Sequence, residues 1–282
     1  MLDKKIAFIG PGVMAEAMIA GLIRQGLSNP ENITASGPRE NRGRELKDKY
    51  GIHTTTDNAA AASNADVVVL SVKPQRLSEV LKGLGAIRPD ALVLSIVAGA
   101  PIKKISAALK HSAVVRSMPN TPGQIGAGIT VWTPSDDTSA AQQDMARQIL
   151  GALGEEVFVE DEGYLDMATA LSGTGPAYVF LFTEALIDAG VHMGFPRRIA
   201  EKLVLQTVRG SVDYYRNAER HPATLRNQVT SPGGTSAEAL YYLEKAGFRT
   251  AISRAVWAAY QRSLELGKEK AVHIPEAYPG SE

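Results

Sequence analysis

Cysteine is absent from the 282-residue sequence, and neither sign of charge is in excess. Without cysteine the chain has no disulfide, no thiolate nucleophile and no zinc ligand of the sulfur type. Because 30 Lys and Arg residues balance 30 Asp and Glu residues, nothing indicates nucleic acid or an acidic membrane surface as a partner. The five histidines show no i, i+4 pairing, so no metal site is predicted. Any recognition of charge must therefore depend on local groups.

Long apolar runs are also scarce in the sequence. No stretch approaches the roughly 18 apolar residues of a membrane span, so no membrane association is predicted. The N-terminus carries Asp3, Lys4 and Lys5 before a short apolar run, which is the pattern of a strand and not of a signal peptide. The chain is long enough for two domains. We expect a soluble, cytoplasmic protein.

The first apolar run leads into a glycine turn that is typical of dinucleotide binding. Ile6 to Ile9 has the composition of a strand, and helical apolar spacing continues from Ala17 to Gly26. Between them, Gly10 to Ala15 matches G-x-G-x-x-A, in which the glycines permit a tight turn and close approach of a pyrophosphate. The position of the motif between a strand and a helix favours dinucleotide binding over a fortuitous glycine-rich turn.

The end of the second predicted strand indicates which dinucleotide is bound. Ile33 to Ser36 is followed by no acidic residue before Glu40, although an acidic residue there would grip a ribose 2′-hydroxyl. Ser36 and Arg39 instead offer a hydroxyl and a guanidinium, which suit a 2′-phosphate. NADPH is therefore favoured over NADH. Arg42 and Arg44 fit the alternative, in which such arginines line the solvated face of the next helix.

Continuous apolar runs predict a mostly parallel sheet in a Rossmann-like α/β domain over residues 1–161. Besides the two strands above, the runs are Asp66 to Ser71, Leu92 to Val97, Val114-Val115, Ile129 to Trp132 and Val157 to Val159, with a short helix at Asn58 to Ser63 and another near Thr138 to Leu150. Ligands of such folds bind at the carboxyl ends of the strands. Lys73 and Asn120 are among the few polar side chains in those loops that can face a cofactor.

Residues 162–282 lack strand patterns and predict an all-α domain of five or six helices. Two glycines and a proline interrupt the helix at Ser172 to Tyr178, which indicates either a close helix contact or a bend that faces the nicotinamide with the Thr174 hydroxyl. The last helix, Thr250 to about Lys268, is amphipathic, and an alanine-rich helical domain of this kind predicts homo-oligomerisation. His273 to Glu282 is predicted to be a frayed tail.

The stretch from Asn227 to Leu240 combines a Pro-Gly turn with a helix start. Thr235 and Glu238 have the spacing of a capping box, which predicts Thr235 as the N-cap. Gly233 and Gly234 allow close approach to the main chain, and the free N–H groups of a first helical turn attract a carboxylate or phosphate. The alternative is an ordinary capped helix after a turn.

Five motifs together resemble the pyrroline-5-carboxylate reductase family. They are GPGVMA (Gly10 to Ala15), SVKPQ (Ser71 to Gln75), MPNTP (Met118 to Pro122), SGTGPAY (Ser172 to Tyr178) and VTSPGGTS (Val229 to Ser236). The resemblance covers nearly the whole chain. It implies NAD(P)H-dependent reduction of 1-pyrroline-5-carboxylate to L-proline by a Rossmann domain followed by a helical dimerisation domain, in dimers that can associate further into decamers.

The resemblance also implies roles for single residues. The residues that would bind the pyrophosphate are Gly10, Gly12, Val13, Met14 and Ala15, and those that would bind the 2′-phosphate are Ser36 and Arg39. Asn58 would contact the adenosine half. The residues that would contact the nicotinamide ribose are Ser71, Lys73, Pro74, Ala98 and Gly99. The substrate carboxylate falls to Gly233, Gly234, Thr235 and Ser236. Many family members have Ser in place of Thr174 and Thr in place of Ser236, and both changes keep the hydroxyl.

A cyclic imine acid asks mainly for orientation, because its protonated form already accepts a hydride. The catalytic candidates are therefore Ser236 or Thr174, which can hydrogen-bond the ring nitrogen, and Lys73 at the nicotinamide. A β-hydroxyacid dehydrogenase would need a lysine base from the first helices after the nucleotide domain, and no lysine occurs between Lys110 and Lys202. The other alternative is a non-catalytic NADP(H) sensor.

Overall fold

The computed structural model describes residues 2–267 of the chain. The predicted frayed tail from His273 to Glu282, and the predicted helix end at Lys268, lie outside the described residues. Within residues 2–267, the first half is α/β and the second half is helical, as the hydrophobic pattern predicts.

A single eight-stranded sheet forms the centre of the α/β part, with the strand order β3-β2-β1-β4-β5-β6-β7-β8. All neighbours are parallel except β6 and β7, so the last two strands run against the others. The strands are β1 Ile6–Ile9, β2 Ile33–Ser36, β3 His53–Thr55, β4 Val67–Leu70, β5 Leu92–Ser95, β6 Val114–Met118, β7 Gly128–Pro134 and β8 Gly154–Phe158. This topology brings the carboxyl ends of β1 to β6 to one edge of the sheet.

Helices cover both faces of the sheet, which explains the uninterrupted apolar strands. They are α1 Val13–Arg24, α2 Glu40–Tyr50, α3 Asn58–Ser63, α4 Pro74–Gly83, α5 Ile102–Leu109 and α6 Ala140–Gly151. Ile6 and Phe8 belong to a buried cluster with α1 and α6, whereas Ala7 and Ile9 belong to a second cluster with α3, α4 and α5. Alternation along β1 therefore supplies both cores.

The helical part contains α7 Gly163–Ala168, a π-helical turn Thr169–Gly173, α8 Gly175–His192, α9 Arg197–Ala218, α10 Pro222–Gln228, α11 Thr235–Lys245 and α12 Phe248–Gly267. The predicted interruption near Gly173 is thus a π turn, in which Ser172 and Thr169 donate their hydroxyls to the carbonyls of Ala168 and Leu165. Contacts divide the described chain into two compact units, one of residues 2–173 with 259–267 and one of Thr174–Ala258.

The second unit exposes many large apolar side chains, notably along α8, where Phe180 and Leu181 are about two-thirds exposed. The sequence prediction that no segment is long and apolar enough to span a membrane needs correction. The helical stretch Gly163–His192 is long and apolar enough to span a membrane by length and composition. The sequence carries no such signal because Ser, Thr and Gly residues divide the apolar run, around the π turn and the bend at Thr174.

Candidate active site

The glycine turn after β1 leaves backbone donors free at the start of α1. Gly10 has a φ of +95°, and a Cβ there would lie 2.5 Å from Val72 Cγ1, so glycine is required. Gly12 is the N-cap of α1 and no side chain caps the helix. Among residues 2–267, nothing accepts from the N–H groups of Val13, Met14 or Ala15. These donors and the helix dipole suit a pyrophosphate.

The Ser71 hydroxyl holds the same turn from the neighbouring strand. Its Oγ donates to the carbonyl oxygens of Ile9 at 3.0 Å and Gly10 at 2.9 Å. Two residues on, Lys73 is the N-cap of α4 and is exposed, and Pro74 occupies the first helical position. The predicted contact of these three residues with the nicotinamide ribose stays a prediction.

Arg39 is the cation available for a 2′-phosphate. It precedes α2 beside a 330 Å³ cavity, whose lining includes Pro11, Gly37, Arg44 and Thr54 to Thr56. Arg44 pairs with Glu40 at 3.2 Å, whereas the exposed Arg39 side chain has no partner within the described part of the chain. Ser36 is fully buried and donates to Asn58 Oδ1 at 2.7 Å. Ser36 therefore orients Asn58, and its contact with the 2′-phosphate stays a prediction.

Gly99, in the loop after β5, is covered by the chain itself. It has a φ of +64°, and a Cβ on Gly99 would lie 2.7 Å from Leu266 Cβ. Ala98 beside it is half-buried. The close contact with the end of α12 is the physical requirement for glycine here. The role of Ala98 and Gly99 at the nicotinamide ribose stays a prediction.

The Asn120 side-chain amide links two other segments of the chain by hydrogen bonds. Its Oδ1 accepts from Ile129 N–H at 2.9 Å, and its Nδ2 donates to the Ser172 carbonyl at 3.2 Å. Gly173 follows, and a Cβ there would lie 2.6 Å from Met118 Cε. The glycine-rich turn thus allows a close contact and also a local π turn, and π turns are frequent at functional sites.

A buried ion-pair cluster around Arg116 gives no signal in the sequence beyond one charged residue inside a buried strand. Arg116 is 4% exposed on β6 and contacts Glu162 at 3.0 Å and Asp166 at 3.1 Å. Glu162 also accepts from Ile102 N–H, and Asp166 accepts from the Ser263 hydroxyl. The cluster joins β6 to the start of α5, to α7 and to α12.

The start of α11 corrects the predicted cap. Gly234, not Thr235, is the N-cap, with extended φ and ψ of −80° and 165° and with no side-chain cap hydrogen bond. Its carbonyl accepts from Ala237 and Glu238 N–H, so the helix starts one residue earlier than a capping box between Thr235 and Glu238 requires. The shift leaves the N–H groups of Thr235 and Ser236 without partners among the described residues.

A tight turn presents this helix start. The Gly234 N–H donates to the Ser231 carbonyl at 3.0 Å, and Gly233 has a φ of +69°. Proline followed by a glycine of positive φ is the signature of a type II turn. A Cβ on Gly234 would lie 2.5 Å from Ser231 Oγ. Thr174 and Gly233 to Ser236 belong to the second unit, and the candidate cofactor residues belong to the first.

Comparisons with known proteins agree over both parts of the chain. A family model described as pyrroline-5-carboxylate reductase dimerisation matches residues 162–266. A model described as NADP oxidoreductase, coenzyme F420-dependent, matches residues 5–99. A pyrroline-5-carboxylate reductase of Synechocystis sp. is 45% identical over 94% of this chain and 99% of its own length. One of Pseudomonas aeruginosa is 41% identical over 95% and 99%.

Solved structures give the same result. The pyrroline carboxylate reductase of Plasmodium falciparum, crystallised with NADP bound, has a TM-score of 0.87 and 32% identity, covering 95% of this chain and all of that one. The pyrroline-5-carboxylate reductase of Coxiella burnetii has a TM-score of 0.84 and 38% identity, covering 94% and 99%. Identity at this level over nearly the full length leads to one conclusion: the chain belongs to the pyrroline-5-carboxylate reductase family.

Proposed function

We propose that the chain reduces 1-pyrroline-5-carboxylate to L-proline with NAD(P)H, which is the last step of proline biosynthesis. In this proposal the enzyme orients the imine acid at the start of α11. The observation that carries this proposal is the uncapped helix start at Gly234. It offers two backbone N–H groups, those of Thr235 and Ser236, that have no partner among the described residues, beside a type II turn and within the region that matches the family's dimerisation model.

The carboxylate binds to Gly233, Gly234, Thr235 and Ser236 in this proposal. Main-chain N–H groups and the positive end of the helix dipole stabilise an anion without a cationic side chain. The local sequence supports this, because Ser231 to Glu238 contains no Lys or Arg. Gly234 leaves the donors open, whereas a Ser or Asp N-cap would occupy one of them.

A hydroxyl completes the orientation of the ring. Ser236, in the first turn of α11, or Thr174, in the residue before α8, donates a hydrogen bond to the ring nitrogen or accepts one from its protonated form. Holding the ring by its carboxylate and its nitrogen leaves one face of the imine carbon for the cofactor. Orientation of this kind is the main source of rate when the substrate is already electrophilic.

The cofactor site fits NAD(P)H on the geometry of the first unit. The free N–H groups of Val13, Met14 and Ala15 next to Gly10 and Gly12 hold the pyrophosphate, and Arg39 with Ser36 holds a 2′-phosphate. Asn58 lies at the adenosine, and Ser71, Lys73, Pro74, Ala98 and Gly99 lie at the nicotinamide ribose. When bound, the reduced nicotinamide supplies the hydride. Lys73 contributes a positive charge at that end of the site.

The protein is a homo-oligomer that acts on a small molecule, and we place its dimer contact in the helical part. The family model for dimerisation covers α7 to most of α12, and the exposed apolar side chains of α8 lie within it. Burial of this surface by a second copy accounts for the membrane-length helix without a membrane. We further propose that the boundary between the two domains lies near residue 161 of the chain, that dimers associate into decamers and that the enzyme works in the cytoplasm.

An absorbance assay tests the activity directly. The protein is mixed with NADPH and 1-pyrroline-5-carboxylate, and loss of absorbance at the reduced nicotinamide band is followed while L-proline is quantified. Stoichiometric proline formation is expected. A 3-hydroxyacid with NADP⁺ serves as the control for dehydrogenase activity. No turnover in either direction, in protein that binds NADPH, would identify a cofactor sensor and refute the proposed reaction.

A further inference from the structure

We propose that Arg42 is a positioning residue of the cofactor site, which holds the glycine turn in the shape that receives the pyrophosphate. The inference rests on the proposed cofactor site at Gly10 to Ala15 and adds to it a residue that does not touch the cofactor. Arg42 lies in the first turn of α2, where helical spacing alone would place it on a solvated face.

The Arg42 guanidinium binds the turn itself. Its Nε donates to the Pro11 carbonyl at 3.1 Å, between the two glycines of the motif. Its other nitrogens pair with Glu16 in the first turn of α1 and with Glu45 at 2.9 Å. The Arg42 side chain is only 16% exposed. One planar group therefore joins the turn, the helix that follows it and α2, which a lysine cannot do with a single ammonium.

The turn is fixed on its other sides as well. A Cβ on Gly37 would lie 2.5 Å from Pro11 Cδ, so the end of β2 packs directly against the proline ring. The Gly10 carbonyl accepts from Gly12 N–H at 2.7 Å and from Ser71 Oγ at 2.9 Å. With Arg42 on the Pro11 carbonyl, the oxygens of both residues are engaged. A released Pro11 carbonyl would be free to reorient toward a phosphate and repel it.

Arg42 also neutralises an acidic group close to the proposed pyrophosphate. Burial alone would raise the pKa of Glu16, but hydrogen bonds from Lys49, Arg42 and Tyr50 outweigh it and lower the pKa to about 2. Lys49 Nζ and Tyr50 Oη approach Glu16 Oε1 at 2.8 Å and 2.9 Å. Glu16 is thus a carboxylate throughout the neutral range, and it follows Ala15 directly. Loss of Arg42 leaves this negative charge less compensated beside the free donors of α1.

The pyrophosphate is common to NADPH and NADH, and the 2′-phosphate is not. Arg42→Met is therefore expected to weaken both cofactors by a similar factor of about ten, the usual scale for loss of a hydrogen bond to a charged group. Arg39→Ala is expected to weaken NADPH alone. Arg42→Lys keeps the charge and loses the planar fork, so it should fall between wild type and Arg42→Met for both cofactors.

The experiment measures dissociation constants of NADPH and NADH by nucleotide fluorescence, and then KM and kcat with each cofactor at saturating imine acid. Arg88→Met is the matched control, because Arg88 makes a comparable forked ion pair with Asp66, before β4, and with Asp90, before β5. Thermal unfolding of all variants separates loss of binding from loss of fold. The binding arm does not depend on the imine acid, so a wild type that binds both cofactors without turnover refutes the proposed reaction alone.

Support for the inference is a rise of both dissociation constants in Arg42→Met, with kcat within about twofold of wild type and with Arg88→Met unchanged. Three results would overturn it. The first is a loss of affinity confined to NADPH, which would assign Arg42 to the 2′-phosphate. The second is wild-type affinity in Arg42→Lys, which would leave positive charge as the only requirement. The third is an equal loss of affinity in Arg88→Met, which would attribute the effect to reduced stability.

Discussion

At the scale of single residues, we expect cofactor preference to depend mainly on one side chain. Arg39 is an exposed cation beside the cavity at the end of β2, and, unlike Arg44, it has no partner in the described chain. We expect Arg39→Ala to raise KM for NADPH by about tenfold, since a charge-assisted contact to the 2′-phosphate is lost. KM for NADH should stay unchanged. Steady-state kinetics with both cofactors decide this, and an undiminished NADPH preference would show that Arg39 does not hold the phosphate.

Substrate affinity depends in the same way on Ser236. We expect Ser236→Ala to raise KM for 1-pyrroline-5-carboxylate by about tenfold or more, because one hydrogen bond to a charged ligand is worth roughly 1.5–3 kcal/mol. KM for NADPH should not change. Ser211→Ala, an exposed serine in the middle of α9, is the control. Wild-type kinetics in Ser236→Ala would remove that hydroxyl from the site and leave Thr174 as the donor to the ring.

Three arginines in one short stretch show how far residue roles can be predicted from sequence. Arg39, Arg42 and Arg44 are the same residue type within six positions. In the described chain, Arg39 has no partner, Arg42 binds the glycine turn and Arg44 forms an exposed ion pair with Glu40. The Pro11 carbonyl that Arg42 binds lies 31 residues away in the sequence. Local spacing carries no record of such a contact, so the pattern could favour Arg39 and could not find the role of Arg42.

At the scale of elements, the close seating of α1 produces a testable contrast between two helical glycines. A Cβ on Gly21, inside α1, would lie 2.4 Å from the Ala152 carbonyl oxygen, a backbone atom that cannot rotate aside. Gly83, at the end of α4, has nothing within 4 Å of the same position. We expect Gly21→Ala to destabilise the fold by about 1–3 kcal/mol or more.

The matched change Gly83→Ala should be neutral or stabilise by roughly 0.4–1 kcal/mol, because alanine restricts the unfolded chain. Thermal or urea unfolding of both variants provides the measurement. Equal stability of the two variants would mean that α1 can shift away from Ala152. In that case close packing would not fix the position of the helix that follows the glycine turn.

The elements that sequence predicted well are those with a dense apolar signal. Strands β1, β4 and β5 are buried along their whole length, and their apolar runs end within two residues of the observed bounds. Strand β3, His53–Thr55, was missed because it is three polar residues long and pairs only with β2 at the edge of the sheet. The start of α11 was placed one residue late because backbone dihedrals, and not side chains, make Gly234 the cap.

At the scale of the whole molecule, the contrast between the two parts explains why the protein is a homo-oligomer. The first part buries its apolar residues in two cores around the sheet. The second part leaves many large apolar side chains exposed, and those on α8 include Val179, Phe180, Leu181, Phe182 and Leu186. Sequence composition predicted association, but the face that must be covered follows only from how the helices pack. Large apolar side chains exposed in this number on a single chain indicate an interaction site.

Leu181→Asp tests the position of that interface. Leu181 is 67% exposed in one chain, and burying a leucine is worth roughly 1.5–3 kcal/mol. In a two-fold interface the change occurs twice, so the dissociation constant should rise by at least about 100-fold and the mass should fall toward the 30.1 kDa of one chain. Light scattering across a dilution series, without detergent, provides the measurement. Ile125→Asp, at a 79% exposed site in the first unit, should keep the wild-type mass. If Leu181→Asp keeps it as well, the dimer contact lies outside this face of α8.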